Sequence, residues 1–505
     1  MTRDMMPNWA AATAMAEGFA HAWSGGPGGA FALFDRGGVR ATACGGLASL
    51  EHGVAFTPDT PSRYASISKH FLAATLLLAE VDLEAPLGTL LPGLPAAIGA
   101  VPLARGLDMT GGLPDMMEVL WQQGLPFTAT LAADEIGAAL RRLNATCSAP
   151  GQEMAYSNTG WRLGQAVLEA RLGVPYGQAL REQLLGPLDL PIAFPYDEAE
   201  VVPGLATGYW RDGAAWRRGR YGMHISASGG LAGSAAALAR WAGALMAGRA
   251  PLQGMLARLL APRHFTDGSP SGYRLGLVQT ALGATRLAVH SGSLPGYRNH
   301  LLMAPERGVG VVLLLNRDED PLLPALRVMA ALVGEAVPEP ATGLPSGLYA
   351  AEEGPAWAEL APGTLEFMGS RETLLDAGDG RFRSIPSTLE IEVRLEAGAL
   401  EGRIGGVPRR LLRVPDGLAL DPGLAGLWRE ATFGVALLIR ADGSACWPGP
   451  GGLGWATTLT PLPGARALAS LTHEMWRHRP CLWLHADGSL RVASHRARVL
   501  RFGRA

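Results

Sequence analysis

Apolar positions along this chain recur with two different periods. From Met1 to Trp23 they follow helical spacing, with Asp4 and Glu17 among them, which predicts an amphipathic helix. The glycine-rich run Gly25-Gly26-Pro27-Gly28-Gly29 predicts a turn ahead of a strand over Ala30 to Asp35. The apolar run Phe71 to Ala79 and the periodic stretches Trp161 to Leu172 and Leu322 to Val337 predict further helices, and Arg286 to Val289 a strand. Pro338-Glu339-Pro340-Ala341-Thr342-Gly343-Leu344-Pro345 reads as a linker. Beyond it the helical period stops. Glu390 to Leu395 alternates without error, Arg466 to Leu471 and Cys481 to His485 are strand-like, and Asp442-Gly443 and Asp487-Gly488 mark hairpins. Gly347-Leu348-Tyr349 and Gly426-Leu427-Trp428 open two blocks of similar size, which predicts two small antiparallel barrels. The expected layout is α+β: a mixed domain over 1–337, a linker over 338–346, and barrels over 347–420 and 421–505.

With 505 residues, 48% hydrophobic and 17% charged, the chain can bury several cores and is no disordered polymer. A formal net charge of -2 implies neither a nucleic-acid surface nor a polybasic membrane patch, and no apolar run is long enough for a membrane span. Cys44, Cys147, Cys446 and Cys481 are scattered, without a C-x-x-C pair, so buried free thiols are expected rather than disulfides or a zinc site. None of the 11 histidines falls in H-E-x-x-H, and the glycine run near residue 27 lacks the Gly-Lys-Ser/Thr ending of a phosphate loop. No metal or cofactor is therefore expected. The N-terminal stretch lacks the charged head and apolar centre of an export signal, so a cytoplasmic protein is expected.

One compositional fact changes the picture. Of the 43 Lys and Arg residues a single one is Lys, Lys69. Arginine serves equally well on a solvated surface, but a guanidinium cannot shed its proton in a protein, whereas a buried ammonium can. Lys69 lies in Ser62-Arg63-Tyr64-Ala65-Ser66-Ile67-Ser68-Lys69-His70, three positions after Ser66. With 22 serines in the chain, a serine precedes a randomly placed Lys at this spacing about 4% of the time. A helix starting near Ser66 sets both side chains on one face, with the hydroxyl at the positive end of the helix dipole. An amine so placed can take the hydroxyl proton during attack on a carbonyl. Ser68 is the rival nucleophile, but a residue adjacent to Lys69 does not share its helix face.

Such chemistry needs a second acid/base, polar groups for substrate and two oxyanion donors. Tyr156-Ser157-Asn158 lies between the Pro150-Gly151 turn and the helix expected at Trp161, a loop able to aim Tyr156 and Asn158 into a cleft. Taken alone it reads as a turn or cap. His290-Ser291-Gly292 follows the Arg286 to Val289 strand and precedes Leu294-Pro295-Gly296; its glycine would let a substrate backbone approach an edge strand.

Ser66-x-x-Lys69, Tyr156-x-Asn158 and His290-Ser291-Gly292, in this order over about residues 10 to 335, resemble the three motifs of the serine β-lactamase and penicillin-binding-protein family. Phe56 to Thr60, Gly229 to Ser234 and Tyr273 to Leu277 resemble it in texture. The resemblance implies a β-lactamase-like domain in which Ser66 attacks, Lys69 and Tyr156 share the proton transfers, and Asn158 orients substrate. The segment His290, Ser291 and Gly292 would line the cleft, with the backbone N–H groups of Ser66 and Ser293 as oxyanion hole. With two barrels following, the chain resembles the bacterial D-aminopeptidases, serine peptidases of the D-Ala-D-Ala carboxypeptidase B type. That implies release of an N-terminal D-residue such as D-Ala from peptides, amides and esters. It further implies a loop of the last barrel, about 472–480, reaching the cleft, where Glu474 would pair with the substrate ammonium; a solvated hairpin tip is the alternative.

Two alternatives stay open. Ser291 resembles the Thr of D-Ala-D-Ala carboxypeptidases, which keeps a carboxypeptidase or a β-lactamase-related esterase in play. A catalytically silent sensor of peptides or β-lactams is the second, disfavoured by the intact Ser66, Lys69 and Tyr156. The expected partner is a small peptide or amino-acid amide, with β-lactams as conceivable inhibitors; a homodimer is allowed, and neither nucleic acid nor membrane is expected.

Overall fold

The computed structural model describes residues 6–386, 389–448 and 454–505. The chain folds as two compact units, one made of Met1–Leu83, Trp161–Arg263 and Gly272–Val337, the other of Glu84–Gly160, His264–Ser271 and Pro338–Ala505.

The first unit is built on a six-stranded antiparallel sheet in the order Val278–Leu282, Thr285–Leu294, Tyr297–Ala304, Val309–Leu315, Gly29–Asp35, Gly38–Gly45. The strand expected at Ala30 to Asp35 is thus paired to one almost 300 residues later, Gly29 opposite Leu315. Both central strands read as unbroken apolar runs rather than alternating ones, because every residue of Val309–Leu315 and all but Asp35 of Gly29–Asp35 are buried. Helices Trp9–Ala22, Ala235–Ala247 and Leu322–Val333 pack on this sheet. The first starts at Trp9, where Asn8 Oδ1 accepts from Ala11 N (3.0 Å), and buries the stripe Ala12, Ala16, Ala20. Met1 to Met5 of the expected helix, Asp4 included, lie outside the described residues. Ser234 caps Ala235–Ala247 through Ala237 N. The last helix ends at Val333 and not at Val337 because Gly334 takes a left-handed conformation, φ 74°, and closes it. All four cysteines are free, yet only Cys481 is buried and Cys44 is exposed. Gly38–Gly45 is the outermost strand of its sheet, and Cys44 points from it to solvent.

In the second unit, the residues from Gly347 to Arg413 form a closed eight-stranded antiparallel barrel, sealed where Tyr349 and Ala350 pair with Arg413 and Leu412. Trp357, Leu365, Phe367, Leu374 and Ile391 fill it. The alternating segment is the strand Ile391–Glu396, whose burial alternates in step with its sequence. The following strands, Gly426–Glu430 to Leu500–Arg504, make a nine-stranded sheet whose two end strands, Gly454–Thr458 and Thr460–Leu462, are consecutive in the chain, so the sheet curls to near closure. Each glycine-led tripeptide opens its sheet. The segment expected as one strand over Arg466 to Leu471 is broken: Arg466–Leu468 stays in the sheet, and Leu471–His473 leaves it to pair with Trp476–His478. The proline-rich 338–345 run is tied down, with Ala341 N donating to Leu374 O (2.9 Å). Among the described residues no helix is long and apolar enough to cross a membrane, and no cluster of His, Cys, Asp or Glu could hold a metal ion.

Candidate active site

Within the first unit, Ala65–Ser68 forms a 3-10 turn that runs directly into the α-helix Lys69–Leu78. At three residues per turn this geometry stacks residues i and i+3 one above the other, more closely than an α-helix does. Lys69 Nζ accordingly donates to Ser66 Oγ at 3.1 Å, and to the Ser228 carbonyl at 2.7 Å. Lys69 is fully buried, and the Trp161 ring lies 6.0 Å from its ammonium. Ser66 is the one residue from Ser62 to Leu77 that is not buried. Ser68 is 0% exposed, and its hydroxyl accepts from Leu231 N (3.0 Å), so its oxygen serves the scaffold. Ala65, just before the nucleophile candidate, has φ 52°, a left-handed value that costs a non-glycine residue about 1 kcal/mol. The neighbouring segments hold it there: Tyr64 N donates to Leu231 O (2.8 Å), Tyr64 Oη to Ser234 O (2.8 Å), and Asn299 Nδ2 to Arg63 O (2.7 Å).

The third motif lies inside a strand rather than after one, because Thr285–Leu294 keeps pairing with Tyr297–Ala304 through Leu294 opposite Tyr297. On its other edge Val278–Leu282 pairs only as far as Val289, so from His290 onward that edge carries no β-partner among the described residues. A methyl group at Gly292 would stand 2.2 Å from the Tyr64 carbonyl oxygen and 3.3 Å from Ala65 Cβ, so the room left by this glycine is filled by the turn carrying Ser66. His290 is 1% exposed, and its pKa lies well below 6.5, mainly through burial and then through the charge of Lys69. The ring is therefore neutral. Its Nδ1 is 2.6 Å from the Ser291 carbonyl, which can only accept; Nδ1 thus carries the hydrogen and Nε2 accepts from Tyr273 Oη (2.8 Å). Ser291 and Ser293 are half-buried, and Ser293 Oγ meets the Arg298 guanidinium.

The second motif belongs to the other unit. Tyr156 is 4% exposed, and Ser157 N is held by Met109 Sδ at 3.3 Å. Asn158 donates both its backbone N–H (2.8 Å) and its Nδ2 (3.1 Å) to Asp115 Oδ2. Asp115 is wholly buried and caps the helix Met116–Trp121 through Met117 N (2.9 Å). Glu474 is the half-buried tip of the Leu471–His478 hairpin, at φ 52°. That hairpin is docked on the helical part of its unit: His473 Nε2 lies 2.8 Å from Thr128 Oγ1, Trp476 meets Phe127 edge-on, and His478 stacks on Trp121. Sequence reading brings out neither Asp115 nor the Ser228 carbonyl, and reaches Tyr273 only through the family texture of Tyr273 to Leu277, without a role for its hydroxyl; each acts from another stretch of chain.

The family described as Beta-lactamase matches residues 16–334. The chain belongs to this family. It is 28% identical over 332 residues to a D-aminopeptidase of Gluconobacter oxydans, covering 64% of this chain, and spans 62% of that relative's length. A D-aminopeptidase of Brucella canis is 26% identical over 446 residues, 84% of this chain and 83% of the relative. Among solved structures, the D-amino acid amidase from Ochrobactrum anthropi SV3 complexed with L-phenylalanine superposes with a TM-score of 0.54 at 25% identity, over 64% of this chain and 98% of that one.

Proposed function

We propose that this β-lactamase-family protein is a serine-type, D-stereospecific aminopeptidase working through an acyl-enzyme. The observation that carries the reading is the lone accessible hydroxyl of the segment, Ser66, with a fully buried amine 3.1 Å from its oxygen. The two relatives named D-aminopeptidase and the amidase neighbour support the substrate class. Ser66 Oγ attacks the carbonyl carbon of an N-terminal D-residue, and Lys69, acting in its neutral amine form, takes the hydroxyl proton. The C–N bond breaks as Tyr156 passes a proton to the leaving amine; water then attacks the ester carbonyl and gives its proton to Tyr156, and Ser66 leaves with the proton that Lys69 held. Asn158 and the free edge from His290 to Gly292 orient the substrate, the N–H groups of Ser66 and Ser293 receive the oxyanion, and Glu474 meets the substrate ammonium. Residues 1–337 form the catalytic domain in this reading, with 347–420 and 421–505 as its accessory barrels, and the cytoplasm as its compartment.

A second reading rests on the half-buried Ser291 of that free edge, whose hydroxyl suits a substrate carboxylate and so a carboxypeptidase. Hydrolysis of D-Ala, L-Ala and N-acetyl-D-Ala p-nitroanilides, together with a β-lactam, separates the two. Turnover of the free-amine D compound alone is expected; preference for the acetylated compound or the β-lactam overturns the aminopeptidase reading.

A further inference from the structure

We propose that Arg496, in the turn between the last two strands of the chain, is a positioning residue that fixes the pose and proton affinity of Tyr156. The inference rests on the reading of Tyr156 as a proton-transfer group. Arg496 Nε donates to the Tyr156 carbonyl at 3.0 Å, Nη2 donates to Asp115 Oδ2 at 2.6 Å, and the guanidinium carbon lies 5.0 Å from the centre of the Tyr156 ring. The same Asp115 oxygen accepts both N–H donors of Asn158. One guanidinium thus braces Tyr156 directly and Asn158 through a shared carboxylate. The turn is itself anchored: Asp115 N donates to the Arg496 carbonyl (2.8 Å), Ser494 Oγ bonds Glu118, and Glu118 Oε1 stands 3.6 Å from Arg496 Nε.

This arrangement uses what only arginine offers. Two bonds leave the planar fork in fixed directions while its charge sits near an aromatic ring, and a lysine keeps the charge but not the fork. A cation so near a phenol favours the phenolate, and the buried carboxylate of Asp115 holds the cation in place. The guanidinium of this barrel turn therefore does more than close the fold. It supplies a charge to a residue more than 300 positions earlier in the chain.

Full-length Arg496→Met and Arg496→Lys variants test this, with the pH profile of kcat/KM on D-Ala p-nitroanilide as the readout that a purely structural role would leave unmoved. In Arg496→Met the alkaline limb, set by the loss of the Tyr156 proton, is expected to rise by about one pH unit, with kcat down about 100-fold and KM within a few fold. Arg496→Lys is expected to hold the limb near its wild-type position while kcat falls about tenfold. A folded Arg496→Met enzyme with an unmoved limb and kcat within twofold overturns the proposal. If Arg496→Met does not fold, wild-type kcat in Arg496→Lys overturns it instead. Tyr156→Phe runs alongside: wild-type activity there means that the role read for Tyr156 has failed, and the Arg496 proposal with it, whereas an inactive Tyr156→Phe beside an unaffected Arg496→Met sinks the Arg496 proposal alone.

Discussion

At the scale of single residues, Lys69 and Ser68 sit side by side yet answer to different neighbours. Lys69 Nζ is shared between Ser66 Oγ and a backbone carbonyl, inside a fully buried pocket with an indole beside it. A guanidinium there would keep its proton and bring extra volume into a packed site. Lys69→Arg is expected to lower kcat/KM by about a thousandfold or more while the far-UV circular dichroism stays native; wild-type rates would end the role given to a deprotonating amine. Ser68→Ala supplies the contrast, costing roughly 1 kcal/mol of stability for the lost bond from Leu231 N with little change in turnover. Of these features, the S-x-x-K pair was readable in the sequence because its spacing is covalent. The burial of Ser68 was not, since it depends on Leu231, more than 160 residues away, and neither was the half-burial of Ser66.

At the scale of elements, the reacting turn is pressed against a strand from much later in the chain. Gly292 faces the Tyr64 carbonyl so closely that a single methyl has no room, and the atom it meets is backbone, which cannot swing aside. Gly292→Ala is expected to push the Ser66 turn off the strand, lower kcat by about 100-fold and cost about 1–3 kcal/mol in urea melts. Activity and midpoint both unchanged would show that the contact does not set the turn. Hydrophobic period located the strands and helices well, because burial on one or both faces imprints itself on local sequence. It misplaced ends, as at Gly334, and split points, as at Ala469-Ser470, where capping and a change of partner strand decide. The continuation of the strand past His290 was equally hidden, since only its partner Tyr297–Ala304 shows it.

At the scale of the whole molecule, five buried histidines set the response to acid. Burial lowers His70 to about 3, His478 to about 3 and His300 to about 4, and takes His290 and His495 well below 6.5. His70, His290 and His300 belong to the first unit, His478 and His495 to the second. Each ring stays neutral in the folded protein but gains a proton on unfolding once the pH drops below about 6.5. The unfolded state then binds more protons, so stability is whole above that pH and declines as pH falls from there towards 4, by up to about 1.4 kcal/mol per pH unit for each histidine. Chemical denaturation at pH 7, 6, 5 and 4.5 should reveal a multi-proton slope beginning near 6.5. A flat profile down to pH 5 would contradict neutral burial of these rings. His70 illustrates the cause: its Nε2 accepts from Trp241 Nε1 at 2.8 Å, a bond that protonation removes.

What the amino-acid order settled by itself was local: an amine three residues after a serine, the change from helical to alternating period after residue 338, and glycine-led strands opening two barrels. These follow from spacing along the chain, which folding cannot alter. The tertiary structure alone decided which hydroxyl stays accessible, which backbone fills the gap at Gly292, and that Asp115 and Arg496 hold the Tyr156 segment. Those outcomes depend on segments tens to hundreds of residues apart meeting at contact distance, and a contact between distant segments leaves no period in either of them.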